Sequence, residues 1–123
     1  MYGEPQPKGS YRLVVGPDGA PRAPIPSSVR AWEHTIRVAA QFVQGGRPLL
    51  EGPVVLRAEF RVLRPRSVRR AHPTVRPDLD KLLRAVQDSL RGVVYREDAQ
   101  VVRLEASKAY GDPPGVVVTV EPL

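Results

Sequence analysis

Between Val54 and Leu63 the sequence alternates with little exception. Val54, Leu56, Ala58, Phe60 and Val62 share one parity, and Arg57, Glu59 and Arg61 the other. Successive strand side chains point to opposite faces, so this pattern predicts a strand with one dry and one wet side. The dry side needs an apolar cover, and two stretches can supply it as helices. One starts near Ser27/Ser28, either of which can cap it, and carries Val29, Trp32, Ile36, Ala39, Ala40 and Val43 mostly three and four apart until Gly45-Gly46 ends it. The other starts at Pro77/Asp78 and runs to about Arg91, with Leu79, Leu82, Leu83, Val86 and Leu90 as its buried stripe and Gly92 as its stop.

Further strands are expected at Tyr11–Val15, before a Gly16-Pro17-Asp18-Gly19 turn, and at Ala99–Tyr110, with Val116–Glu121 as its hairpin partner across Gly111–Gly115. The 14 prolines fall mostly between these elements, at Pro5 and Pro7, in Pro21–Pro26, at Pro65, Pro73 and Pro77, and at Pro113 and Pro114. The expected order is β-α-β-α-β-β. It describes an α+β fold, a single compact domain over residues 1–123, with a small mixed sheet and helices on one face.

The chain has no cysteine, which excludes disulfides, thiolate metal sites and a cysteine nucleophile. No apolar run approaches the roughly 20 residues of a membrane span. The N-terminus carries no apolar signal segment, so a cytoplasmic location without membrane contact is expected. The net charge is +6, and 16 of the 19 basic residues are arginine. Codon usage can set the arginine-to-lysine ratio but not the net excess, which suggests a polyanionic partner, nucleic acid first. Arg64, Arg66, Arg69, Arg70 and Arg76 fall in a loop, 64–76, that holds no acid. Arginine offers a planar fork suited to phosphate oxygens.

In so basic a chain the placement of the acids is informative. Asp78 and Asp80 open the second helix directly after the arginine loop, and Asp98 comes just before the long strand. If that strand lies beside the helix start, three carboxylates converge, and carboxylate oxygens are what Mg²⁺ takes as ligands. Simpler readings stand beside this one. Asp78 alone is an ordinary helix cap, and Asp80 an ordinary first-turn acid favoured by the dipole. Asp80, Arg84 and Asp88 at four-residue spacing form an ion-pair face. A D-x-D at a helix start is by itself a weak motif. His72 suits a DNA-backbone contact or a bystander better than catalysis, and His34 is read as structural or surface. No serine–histidine–acid arrangement and no glycine-rich phosphate loop are present.

The stretch from Arg76 to Val101 is more specific. It reads Arg-Pro-Asp-Leu-Asp, then a leucine-rich helix with a basic residue and Asp88-Ser-Leu, a glycine break, and Asp98-Ala-Gln-Val101. This order closely resembles the central signature of the RusA family of Holliday-junction resolvases. Pro5-Gln-Pro-Lys-Gly-Ser10 resembles the loop near that family's start, Lys108-Ala-Tyr-Gly111 and Pro114-Gly-Val-Val-Val118 its closing hairpin, and Trp32 is also family-like.

The resemblance implies a homodimeric, metal-dependent endonuclease that nicks four-way DNA junctions symmetrically. Its metal ligands would be Asp78, Asp80 and Asp98, holding Mg²⁺ with Mn²⁺ as the alternative, and no small-molecule cofactor. Arg84 would assist catalysis where the best-known members carry lysine, and Lys81 stands where many have asparagine. Arg84 keeps its proton, so its help would be electrostatic. Lys81 would contact phosphate or compete with metal. Lys8, the five loop arginines and Lys108 are the candidate DNA contacts. The family's N-terminal strand is expected to be short or missing here, since only Met1-Tyr2 precede Gly3. Rival readings are a nuclease of the same fold acting on other branched or phage DNA, a DNA-junction binder with a decayed site, and a basic RNA-binding domain. A prophage setting is common for such sequences.

Overall fold

The computed structural model describes residues 2–3, 11–15, 29–112 and 114–123, with side chains from residue 32 onward, Pro113 excepted. Its elements are β1 (Tyr2–Gly3), β2 (Tyr11–Val15), α1 (Val29–Gln44), β3 (Val54–Val62), α2 (Leu79–Leu90), a 3-10 turn (Asp98–Gln100), β4 (Val101–Tyr110) and β5 (Gly115–Pro122). The α+β expectation holds, with one addition. Tyr2–Gly3 pairs antiparallel with β2.

The five strands lie in the order β1-β2-β5-β3-β4. β5 therefore sits between β2 and β3, antiparallel to both, while β4 runs parallel to β3 on its other side. This corrects the expected hairpin, because β4 and β5 are not neighbours. The turn between them crosses the end of β3, where the Gly111 amide donates to Val62 O at 3.0 Å. Gly111 has little room for a side chain, since a Cβ there would lie 3.1 Å from Arg61 Cδ. A tight turn suggests local pairing, but the closing segment inserts between strands that come earlier in the chain.

The alternation of β3 is realised as read. Val54, Leu56, Ala58 and Phe60 are buried with Val116, Val118 and Val120 of β5, and α1 and α2 cover them through Trp32, Ile36, Ala39, Ala40, Leu82, Ala85, Val86 and Leu90. Burying each large side chain contributes roughly 1.5–3 kcal/mol. On the opposite face Arg57 bridges its two neighbouring strands, bonding Glu105 at 2.6 Å and also Glu121. Ser89 joins the helices, its hydroxyl 3.0 Å from Glu33 O and 2.6 Å from Ala85 O. Gly45 ends α1 at φ 57, a left-handed conformation that glycine adopts without steric cost. The expected cap residues Ser27 and Ser28 and the 16–19 turn lie outside the described residues. No described helix is long and apolar enough to cross a membrane.

Strand β4 forms one edge of the sheet and is exposed along most of its length. Leu104 shares the covered parity with Leu56 yet is 44% exposed, and Val102 is 58% exposed.

Candidate functional site

The arginine loop leaves β3 at Leu63 and returns at Pro77 to start α2. Between them lies a groove of about 140 Å³ lined by Val62, Leu63, Pro73, Val75, Pro77 and Tyr110, among others, with Arg70, Arg76 and Lys108 also on its wall. The loop is anchored from β4. Arg64 stacks over the Tyr110 ring at 4.9 Å, and Arg70 donates to the Tyr110 hydroxyl at 3.0 Å. Arg66, Arg69 and Arg76 are exposed, as a phosphate-binding role requires. Lys8, the remaining expected DNA contact, lies outside the described residues.

Asp78 stands at the N-cap of α2 but does not cap it, for its side chain makes no capping hydrogen bond. It pairs with Lys81 at 3.8 Å, both side chains more than half exposed. Asp80 is exposed in the first turn, where the helix dipole favours a negative charge. The cap reading of Asp78 therefore fails, and both carboxylates are available beside the groove. Arg84, 79% exposed, faces Asp88 at 3.8 Å.

Asp98 sits elsewhere. It opens the 3-10 turn and lies 3.5 Å from Arg91, just beyond the C-terminal end of α2. The turn is held by Gln100, which accepts from the Arg96 and Glu97 amides at 2.8 and 2.9 Å and donates to Leu50 O and Gly52 O at 3.0 and 2.9 Å. Beside it the buried Tyr95 hydroxyl donates to Gln87 O at 3.3 Å. Burial first, then the charges of Asp98 and Asp88, push the Tyr95 phenol well above its ordinary range. Asp98 Oδ1 is enclosed and has no hydrogen-bond partner among the described residues.

The expected convergence of three aspartates thus does not occur within one chain. α2 has 12 residues, so its ends lie roughly 17 Å apart at 1.5 Å per residue. Asp78 and Asp80 occupy one end and Asp98 the other. The reason is strand direction. It is the end of β4, at Lys108, that lies beside the helix start, while Asp98 precedes the beginning of β4. Among the described residues no group of three or more acids and histidines could hold a metal ion. The residues of a single chain do not fit a three-carboxylate cation site.

Sequence reasoning also missed how Lys108 and Gln100 are used. Lys108 donates to Val75 O and Pro77 O, both at 2.8 Å, so its ammonium is engaged within the protein. The signal was its parity, because Lys108 pairs with Phe60 and so lies on the helix-covered side of the sheet.

Comparison with known proteins decides the family. The model of the family described as endodeoxyribonuclease RusA matches residues 3–121. The chain belongs to the RusA endodeoxyribonuclease family. A relative, the uncharacterized protein YqaN of Bacillus subtilis (strain 168), is 28% identical over 138 aligned positions that cover 98% of this chain and 92% of that one. Membership implies an endonuclease that resolves Holliday junctions and binds branched DNA. In this RusA-family chain the arginine groove and the uncapped Asp78–Asp80 pair share one end of the molecule.

Proposed function

We propose that this chain is a homodimeric, structure-selective endonuclease that resolves four-way DNA junctions by paired, symmetric nicks and requires Mg²⁺, with Mn²⁺ as a substitute. The observation that carries the reading is the pair of exposed carboxylates, Asp78 and Asp80, directly after Pro77 on the wall of a groove that Arg70 and Arg76 also line, in a chain matched to the family over 3–121. Arg64, Arg66, Arg69, Arg70 and Arg76 track the phosphates, which makes binding steeply salt-dependent. Lys81 and Arg84 offset charge that develops on the phosphate, Arg84 as a permanent cation.

The separation of the acids bears on the dimer. Edge strand β4 reads Val101-Val102-Arg103-Leu104-Glu105-Ala106 and complements itself. Antiparallel pairing of two copies about a two-fold axis at Leu104 sets Arg103 opposite Glu105 of the partner subunit, twice, and Leu104 against its own copy. Cross-strand pairs of opposite charge stabilise a sheet. The same pairing carries Asp98 of the partner subunit toward Tyr110 and Lys108, where Asp78 and Asp80 lie. The three aspartates then meet from two chains at each of two symmetric sites, which suits a two-fold symmetric junction.

The test is a nicking assay on a synthetic four-way junction, with and without Mg²⁺, beside a matched linear duplex. Paired, Mg²⁺-dependent nicks confined to the junction are expected. Equal cutting of forks or flaps would reassign the substrate, and binding without any cut would replace the enzyme by a junction-binding protein.

A further inference from the structure

Lys108 is among the cations that sequence assigns to DNA, and its surroundings argue otherwise. It is half-buried on the helix-covered face of β4, and its Nζ donates to Val75 O and Pro77 O, both at 2.8 Å. These carbonyls lie within the last four residues before Asp78, where the arginine loop runs into the helix. A charged donor bonding two carbonyls is stronger than a neutral one, and with two of its three N–H donors so engaged the ammonium is held against this segment. Among the described residues two backbone bonds also hold the 74–78 segment. The Thr74 amide donates to His72 O at 2.9 Å, and Asp78 O accepts the Leu82 amide at 3.1 Å in the first helical turn. Asp78 and Asp80 are both exposed; Asp78 makes no cap bond, and its ion pair with Lys81 at 3.8 Å joins two side chains that are each more than half exposed.

We infer that Lys108 is a positioning residue for the reaction. By clamping Val75 and Pro77 to the end of β4 it sets where the Asp78–Asp80 pair stands relative to the scissile phosphate, and it does not itself bind DNA. This rests on the proposed nuclease reading and adds to it a residue outside the acidic set. The clamp also ties the helix start to the stretch of β4 that the two-fold pairing would bring to the partner's Asp98.

The experiment compares the wild-type chain with Lys108→Met and Lys108→Arg. It measures single-turnover cleavage at saturating junction, junction Kd across a salt series, Mn²⁺ affinity without DNA, and amide hydrogen exchange over 74–83. Displacement of a catalytic group by about 1 Å costs on the order of 100-fold in rate. The Met variant is therefore expected to cleave about 100-fold slower, to bind Mn²⁺ more weakly and to exchange faster over 74–83, with junction Kd and salt slope unchanged. A direct phosphate contact predicts the reverse, namely weaker binding, a slope reduced by about 0.9 and a retained rate at saturation. That result would overturn the inference. Should the Met variant not fold, the Arg variant keeps the charge and alters the clamp. Slowed cleavage at unchanged Kd supports the inference, and a wild-type rate refutes it. If the wild type itself cuts no junction, the nuclease reading fails on its own account, and unchanged exchange over 74–83 in the variants would then separately refute the clamp.

Discussion

Two inactive variants should restore activity to each other when mixed. Take Asp80→Asn and Asp98→Asn. Neither is expected to harm folding. Asp80 is exposed, and such substitutions usually stay within about 0.5 kcal/mol. Asp98 gives up only a half-exposed ion pair with Arg91 at 3.5 Å, a class of interaction worth about 0–1 kcal/mol, and Asn removes a charge from an oxygen that has no partner. Each homodimer lacks one aspartate at both of its sites and should not cut. In a mixed dimer with sites built across subunits, one site collects both substitutions and the other none. Random exchange of a two-fold dimer makes about half of the dimers mixed, and each of these has one good site of two. The mixture should thus recover about a quarter of the wild-type nicking capacity, as single nicks in place of paired ones. The assay is co-refolding or co-expression of two differently tagged chains, isolation of the doubly tagged dimer, and strand-resolved cleavage of a labelled junction. If the isolated mixed dimer stays inactive, sites shared between subunits are refuted, and a rearrangement within each chain must bring Asp98 across α2.

Other outcomes follow from the same geometry. Arg103→Glu sets like charges opposite each other twice across the proposed two-fold and should yield monomers by sedimentation. Adding Glu105→Arg should restore the dimer; within the chain it sets two guanidinium groups opposite each other at 57 and 105, which Glu121 beside Arg57 offsets in part. Arg66→Ala and Arg69→Ala should each lower the slope of log K against log salt by about 0.9 for every phosphate no longer neutralised, with the cleavage rate at saturation unchanged. Tyr95 is fully buried and its phenol is held protonated above its ordinary value of 10.0. Above that pH the unfolded chain releases a proton that the folded chain retains, so stability is intact below it and falls as pH rises, by up to about 1.4 kcal/mol per unit. Melting curves between neutral pH and the alkaline limit should show this loss, and Tyr95→Phe should remove it.

Much of the fold was legible because it rests on periodicity. The parity of β3, the stripes of α1 and α2 and the arginine loop between β3 and α2 all appear where the pattern puts them, since each reflects only which side of one element is dry. Strand neighbours do not follow from such patterns. The Gly111–Pro114 turn looks the same whether the strands it joins pair with each other or straddle a third. The site was readable as residue types, and the D-x-D follows the arginine loop directly at the start of α2. The meeting of Asp98 with Asp78 failed because a strand has two ends, and spacing does not say which one lies beside a helix start. Lys108 carried its signal in plain view, as a cation on the covered parity of β4, but charge in a basic chain invites assignment to DNA.

The exposed edge of β4 bears on the same point from the side of stability. An open edge strand is a liability that proteins commonly blunt with lysine, proline or a bulge. Here the edge-strand residues 102–106 hold one Arg and one Glu flanking Leu104, with no lysine or proline among them, and 44% of Leu104 is left in contact with water. The strand does carry an irregularity where its pairing with β3 skips from Val101 to Arg103, and Lys108 lies further along it, but the opposite charges at 103 and 105 favour a single antiparallel register. A shift of two residues puts Arg103 against Arg103, or Glu105 against Glu105, where the two-fold at Leu104 puts opposite charges. Register selection of this kind matters more if chemistry depends on it. With the acids at opposite ends of α2, a slipped dimer would leave Asp98 several ångströms from its place, at about 3.4 Å per residue of slip. Edge charges that fix register would then also fix the distance between carboxylates on different chains. The Arg103→Glu, Glu105→Arg double variant, which preserves that register with the charges exchanged, should for this reason recover cleavage together with dimerisation. A double variant that dimerises yet cannot cut would separate the two properties and place the determinant of the site outside β4.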